Sequence, residues 1–201
     1  MPFCRSTSFL LTREQRQADR TDYVGNPRSS LIDADLRQCL IYDSCGPSAR
    51  LIGVEYMVPK PVYETLDPEE QKLWHSHEFE VKSGMLILPT PSTHEGYGDK
   101  WEKLETEAMK EVIGLYGKTW HFWQVDKGHE LPLGRPMLMG SLTEERQTNV
   151  DEALKDRDRR LNVDHKDKAR LRKGIEGPGI HENADLWWDE AREKKAGVYA
   201  G

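Results

Sequence analysis

Apolar and polar positions alternate in distinct ways along this chain, and the changes in period outline its elements. The runs LRQCLIYD (36–43) and ARLIGVEYMVP (49–59) are apolar-rich and flank SCGPS. That turn chemistry predicts an antiparallel strand pair. Asp67 as N-cap, Pro68 behind it and Glu69 and Glu70 in the first turn predict a helix start. LWHSHEFEVKSGMLILP (73–89) predicts a long strand, with His75, His77, Phe79 and Val81 on one face and Glu78 and Glu80 on the other. PSTHEGYGDK is a loop. WEKLETEAMKEVIGLYGK then predicts a helix from Trp101 to Tyr116. Its face would be Trp101, Leu104, Ala108, Val112 and Leu115, with Gly117 as C-cap. TWHFWQVDKG predicts another strand, LPLGRP a connector and MLMGSL a last short strand.

The order β-β-α-β-α-β-β predicts an α+β fold: a curved, mostly antiparallel sheet with two helices packed on one side. It does not alternate as a doubly wound parallel sheet would. Three regions follow. Residues 1–33 are polar, arginine-rich and poorly structured, and residues 34–142 form the core. From about Thr143 the composition turns charged, so 143–201 reads as a helical extension packed on the core or trailing it. Trp187 and Trp188 are expected to anchor that extension.

Composition narrows the function classes. A chain of 201 residues suits one domain with an appendage. The net charge of −6 argues against general nucleic-acid binding, which needs a basic surface. The basic run HKDKARLRK is diluted by interleaved acids. Cys4, Cys39 and Cys45 fit neither a zinc knuckle nor a redox CxxC, which points to a reduced, cytoplasmic setting. Cys39 lies within an apolar run and reads as a core thiol. No run approaches the roughly 20 apolar residues of a membrane span, so any lipid contact would be peripheral. Phe9–Leu11 is too short for a signal-peptide core.

The histidines carry the candidate chemistry. His75 and His77 share a strand face, and His121 from the later strand could meet them, with Glu55 from GVEYMV as a carboxylate. Imidazole donors suit zinc, iron, copper or nickel. Glu80 has the wrong strand parity unless a bulge intervenes. Trp74, Trp120 and Trp123 could wall a pocket beside such a centre. The alternative is a half-buried cluster in which these imidazoles pack and hydrogen-bond with carboxylates and tryptophans. The HxH spacing resembles the first cupin motif, but the glycines and proline of the second are absent around His121. His94, His129, His165 and His181 read as surface residues. No GxSxG, GxGxxG or P-loop pattern is present.

Taken together, DLRQCLIYD, ARLIGVEYMV, LWHSHEFEVKSG, YGKTWHFWQVDKGHELPLGRPMLM and ALKDRDRRLNV resemble the oil body-associated proteins over about residues 34–190. The resemblance implies a protein without a membrane hairpin, associated in plants with seed oil bodies and with their size and stability, and without an established catalytic activity. Its histidine-containing signature falls on Trp74, His75, His77, Glu80, His121, Trp123, Gln124 and Asp126. One stretch departs: the family has histidine and cysteine just before the RQC strand, where this chain reads DYVGNPRSSLIDAD. If relatives draw ligands from there, metal binding here is weakened or lost. The leading expectation is a peripheral structural or adaptor protein of the lipid-droplet surface, contacting the droplet or its proteins. The alternatives are a metal-dependent enzyme or small-molecule binder using His75, His77 and His121, and an interaction module built on the charged tail.

Overall fold

The computed structural model describes residues 36–43, 48–88 and 98–187. The expectations for residues 1–33, Cys4, Cys45, most of the SCGPS turn, the His94 loop and Trp188 lie outside the described residues.

β1 (Arg37–Tyr42) and β2 (Leu51–Pro59) form the expected antiparallel pair, with Cys39 opposite Glu55. β2 pairs antiparallel with β4 (Leu115–His121), placing Glu55 opposite Thr119 and Met57 opposite Gly117. The far edge of β4 is shared by two short strands. β3 (His75–Ser76) sets His75 against Gly117, and β5 (Met137–Met139) sets Met139 against Thr119. The result is an open five-stranded antiparallel sheet within an α+β fold.

Strand alternation gives this sheet two distinct faces. Tyr56, Val58, Tyr116 and Trp120 lie on one; Glu55, Met57, Gly117, Thr119 and His121 lie on the other, with His75 beside Gly117. On the first face Val58, Tyr63, Trp74, Tyr116 and Ala184 form an apolar cluster, in which the Tyr63 and Tyr116 rings stack 3.9 Å apart. The second face carries the polar cluster described below.

Around the sheet lie α1 (Lys60–Tyr63), α2 (Pro68–Gln71), α3 (Glu78–Lys82), α4 (Gly98–Val112), α5 (Val150–Leu161) and α6 (His165–Leu171). α2 begins at Pro68 with Asp67 in the N-cap position, as expected.

Two departures from the sequence reading matter for function. The long strand over 73–89 is only two residues long. After His77 the chain turns into α3, where Glu78 pairs with Lys82 at 2.6 Å across one helical turn, and Gly84 follows at φ 75°. The segment EFEVK alternates like a strand, but this helical turn buries Val81 completely. Secondly, the main helix stops at Val112, and Gly117 is not its cap but an interior residue of β4. Within α4, Leu104 faces solvent and Glu105 faces the core, where Lys168 meets it at 2.5 Å and Arg172 at 3.4 Å. A buried carboxylate is tolerated there because two cations pair with it.

The charged extension packs on this core. Arg172, 1% exposed, donates to the carbonyls of Val81 (3.1 Å) and Leu86 (2.6 Å). Ile175 joins the core cluster of Val81, Leu86, Met109, Val112 and Ile113. Farther on, Asp185 accepts bonds from the Ser76 amide (2.6 Å) and hydroxyl (2.8 Å), holding the end of β3. Trp187 lies against Gly140, where a Cβ would collide with its ring.

Candidate functional site

Four polar side chains meet beneath β4, and each arrives by a different route. Glu55 comes from the middle of β2, His75 from β3, His77 from the N-cap position of α3 and Glu80 from the first turn of that helix. The helical turn supplies what strand geometry could not. Positions three apart share a helix face, so Glu80 falls on the side of His77. Glu55 Oε1 lies 2.9 Å from His75 Nε2 and 3.6 Å from His77 Nε2, and Glu80 Oε2 lies 3.7 Å from His77 Nε2. The four residues are between 1% and 4% exposed.

Gly117 makes the room. A Cβ at that position would collide with Glu55 Oε1 and stand 2.7 Å from His75 Nε2 and 2.8 Å from His77 Cε1. A glycine inside a strand often marks such a close approach, and in LYGKTWH Gly117 has that role rather than the expected one of helix C-cap.

Surrounding groups orient the cluster. His77 Nδ1 donates to the Leu115 carbonyl at 3.0 Å, which turns Nε2 toward the carboxylates. Thr119 Oγ1 donates to Glu55 Oε1 at 3.2 Å, and Ser141 donates to Glu80 Oε1. Ser141 and Leu115 were invisible as partners because both lie far from the histidines in sequence.

The electrostatics are tense. Burial opposes charge on Glu55, yet the adjacent His75 and His77 imidazoles hold it well below the usual carboxylate range. Burial pushes Glu80 up, and the charge of Glu55 adds to that. Burial also disfavours charge on His77, but contact with Glu55 and the charge of Glu80 outweigh it and push its pKa up to about 9. Among the described residues, no lysine or arginine pairs with any of the four. As a donor set, two imidazoles and two carboxylates can hold protons or a transition metal.

The other expected residues sit elsewhere. His121 is buried on the same sheet face, but four residues along β4 from Gly117, about 13 Å of strand at 3.3 Å per residue. It packs against Gly53 and is not among the grouped donors Glu55, His75 and His77; Glu80 lies outside that group too, but it stands 3.7 Å from His77 Nε2. The convergence of three imidazoles is therefore replaced by two imidazoles and two carboxylates.

The tryptophans do not wall this centre. Trp74 and Trp120 flank Lys118, whose ammonium lies 6.0 and 5.5 Å from their rings, and Trp120 belongs to the opposite sheet face. Trp123 packs beside Ile41 and Ile52 and donates to the His129 carbonyl at 2.9 Å. Gln124 is buried just before the short 3-10 turn Val125–Lys127, in which Asp126 falls. Cys39 is opposite Glu55; burial and that carboxylate push its pKa up to about 12, so it is a protonated thiol at neutral pH and a poor nucleophile.

A second grouping occurs on the extension. His165 Nδ1 meets Asp158 at 2.6 Å and Nε2 meets Asp151 at 3.0 Å. Both ring nitrogens are thus occupied, and Arg157 and Lys166 pair with the same two carboxylates. This is a capping network between α5 and α6.

The geometry defines an α+β sheet protein with a buried histidine–glutamate cluster, and comparison with known proteins places it in a family. The family described as "Protein of unknown function (DUF1264)" matches residues 6–176. Oil body-associated protein 1A of Zea mays is 44% identical over 154 residues, covering 75% of this chain and 60% of the relative. Oil body-associated protein 1B of Arabidopsis thaliana is 41% identical over 155 residues, covering 76% and 60%. The chain belongs to this family, that of the oil body-associated proteins. It spans about 60% of the length of these curated relatives. No solved structure matches it.

Proposed function

We propose that this chain acts at the oil-body surface as a peripheral structural or adaptor protein, held by exposed apolar side chains. The names of its relatives support the setting. Among the described residues no helix is long and apolar enough to cross a membrane. The observation that carries the reading is the long connection between β4 and β5. There Leu131 is 63% exposed and Leu133 55%, Arg135 follows, and at its end Met137, the first residue of β5, is 41% exposed. The base of this connection is pinned where Trp123 donates to the His129 carbonyl. Fully burying one such side chain contributes about 1.5–3 kcal/mol, so three entering the acyl boundary suffice for reversible binding. An arginine beside them would meet anionic headgroups. The inner face of α4 is spent on the core, which leaves that helix little to offer lipid.

The test is flotation with triacylglycerol droplets coated in phosphatidylcholine and phosphatidylserine. Wild type should float with the droplets. A variant carrying Leu131→Ser, Leu133→Ser and Met137→Ser should lose most of the bound fraction, at least tenfold if each residue contributes about 1 kcal/mol. Equal flotation of the two proteins would remove this loop from the account. Wild type that stays wholly in solution would reject the reading.

A further inference from the structure

Two carboxylates inside the fold need two positive charges, and among the described residues no lysine or arginine supplies them. An unpaired buried carboxylate is too costly to stand. Protons are one solution, but the contacts do not suit them well. His75 Nε2 is buried and 2.9 Å from Glu55 Oε1, yet the pair lacks hydrogen-bond alignment and the nitrogen has no hydrogen-bond partner among the described residues. His77 gives its Nδ1 hydrogen to the Leu115 carbonyl, which leaves the Nε2 lone pair facing inward. This is the outer-shell arrangement found behind metal-bound imidazoles.

We propose that Glu55, His75, His77 and Glu80 bind one divalent transition-metal ion, zinc or iron(II), in the space that Gly117 leaves beneath β4. The charge then balances: two carboxylates and two neutral imidazoles around one divalent ion sum to zero. The spacing suits three donors directly: Glu55, His75 and His77 each offer an atom within 4.8 Å of the others, and Glu80 adjoins this group through His77. Four donors about 2.0–2.1 Å from a tetrahedral ion stand about 3.3 Å apart. The neighbouring donors here stand 2.9, 3.6 and 3.7 Å apart. Thr119 and Ser141 hold the two carboxylates, as expected behind a metal ligand. With Glu80 as the fourth ligand and almost no exposure, the centre would be of the closed kind, which contributes folding energy rather than presenting an open coordination position. It ties β2, β3 and α3 together across β4.

The experiment is elemental mass spectrometry on tag-free full chain after dialysis against zinc, or against iron(II) without oxygen, followed by desalting. The inference expects about one metal per wild-type chain and below about 0.1 in His77→Ala and Glu55→Gln, with His165→Ala unchanged. A chelator should lower the melting temperature of wild type and leave the two variants unmoved. Should the variants fail to fold, X-ray absorption on wild type decides: a first shell of about two imidazole nitrogens with oxygens supports the site, and a sulfur-containing or all-oxygen shell overturns it. Folded wild type that takes up less than about 0.1 equivalent also overturns it, as does full metal retention in both variants. Either result leaves the flotation test unaffected.

Discussion

Two histidine–carboxylate clusters among the described residues solve the same problem in opposite ways. On the extension, His165 bridges Asp151 and Asp158, and the side chains around it include Arg157 and Lys166. Every charge there finds its opposite within the network, and Asp151 is well exposed to water. Beneath β4, Glu55, His75, His77 and Glu80 are almost fully buried and meet one another without a basic side chain among the described residues. The first cluster is complete and caps two helices. The second is complete only with protons or a cation. The same residue types therefore mean different things, and the difference lies in burial and in neighbours.

Substituting the glycine that distinguishes the inner cluster should give the largest effect. Gly117→Ala places a methyl group against Glu55, His75 and His77, and overpacking of this kind typically costs about 1–3 kcal/mol. Differential scanning calorimetry should show a fall of roughly 2–4 °C per kcal/mol for a chain of this size. Gly174→Ala, where the added methyl would meet no atom within 4 Å, is the control and should stay within about 0.5 kcal/mol. Equal melting temperatures for the two variants would mean the inner cluster has slack.

Next in size is the pH response of the metal-free chain. The pKa of His77 is raised to about 9, above an unfolded value of about 6.5. A raised imidazole contributes stability that is fully present below about pH 6.5 and lost as pH climbs through about 9. Urea midpoints taken at pH 6.5, 8 and 9.5 should fall in that order for wild type and less steeply for His77→Gln. A flat wild-type profile would show that His77 holds no such proton.

Disturbing the outer cluster should matter less. His165→Ala should lose about 1 kcal/mol of stability, the worth of its hydrogen bonds, with metal content unchanged. Because Asp151 and Lys166 are exposed, 1 M salt should reduce the difference from wild type. A loss above about 3 kcal/mol would make this cluster as buried in effect as the inner one.

The smallest effect is a reporter. Cys39, held near pKa 12 by burial and by Glu55, should resist iodoacetamide at pH 8 until the chain is unfolded. Glu55→Gln removes the nearby negative charge and should speed alkylation severalfold. No change would indicate that burial alone protects the thiol.

Much of the fold was legible in the sequence. The β1–β2 pair, the start of α2 and the last short strand all follow from local pattern and turn chemistry. The stretch after His77 was not. EFEVK alternates like a strand, and only its packing on the core and the turn at Gly84 select a helix. That choice carries Glu80 into the inner cluster. His121 shows the reverse error. Its residue type and strand face matched, but the register along β4 sets it far down the sheet.

By itself the sequence determined the residue types at the centre, the closeness of His75 and His77 along the chain and the family to which the chain belongs. Each depends on local period or on a linear match of residues. Tertiary structure alone decided which imidazoles meet, that Glu80 joins them, that Gly117 opens the space and that no lysine or arginine among the described residues closes the charge. Those facts depend on strand register and on helices packing from distant parts of the chain, and no local pattern encodes either.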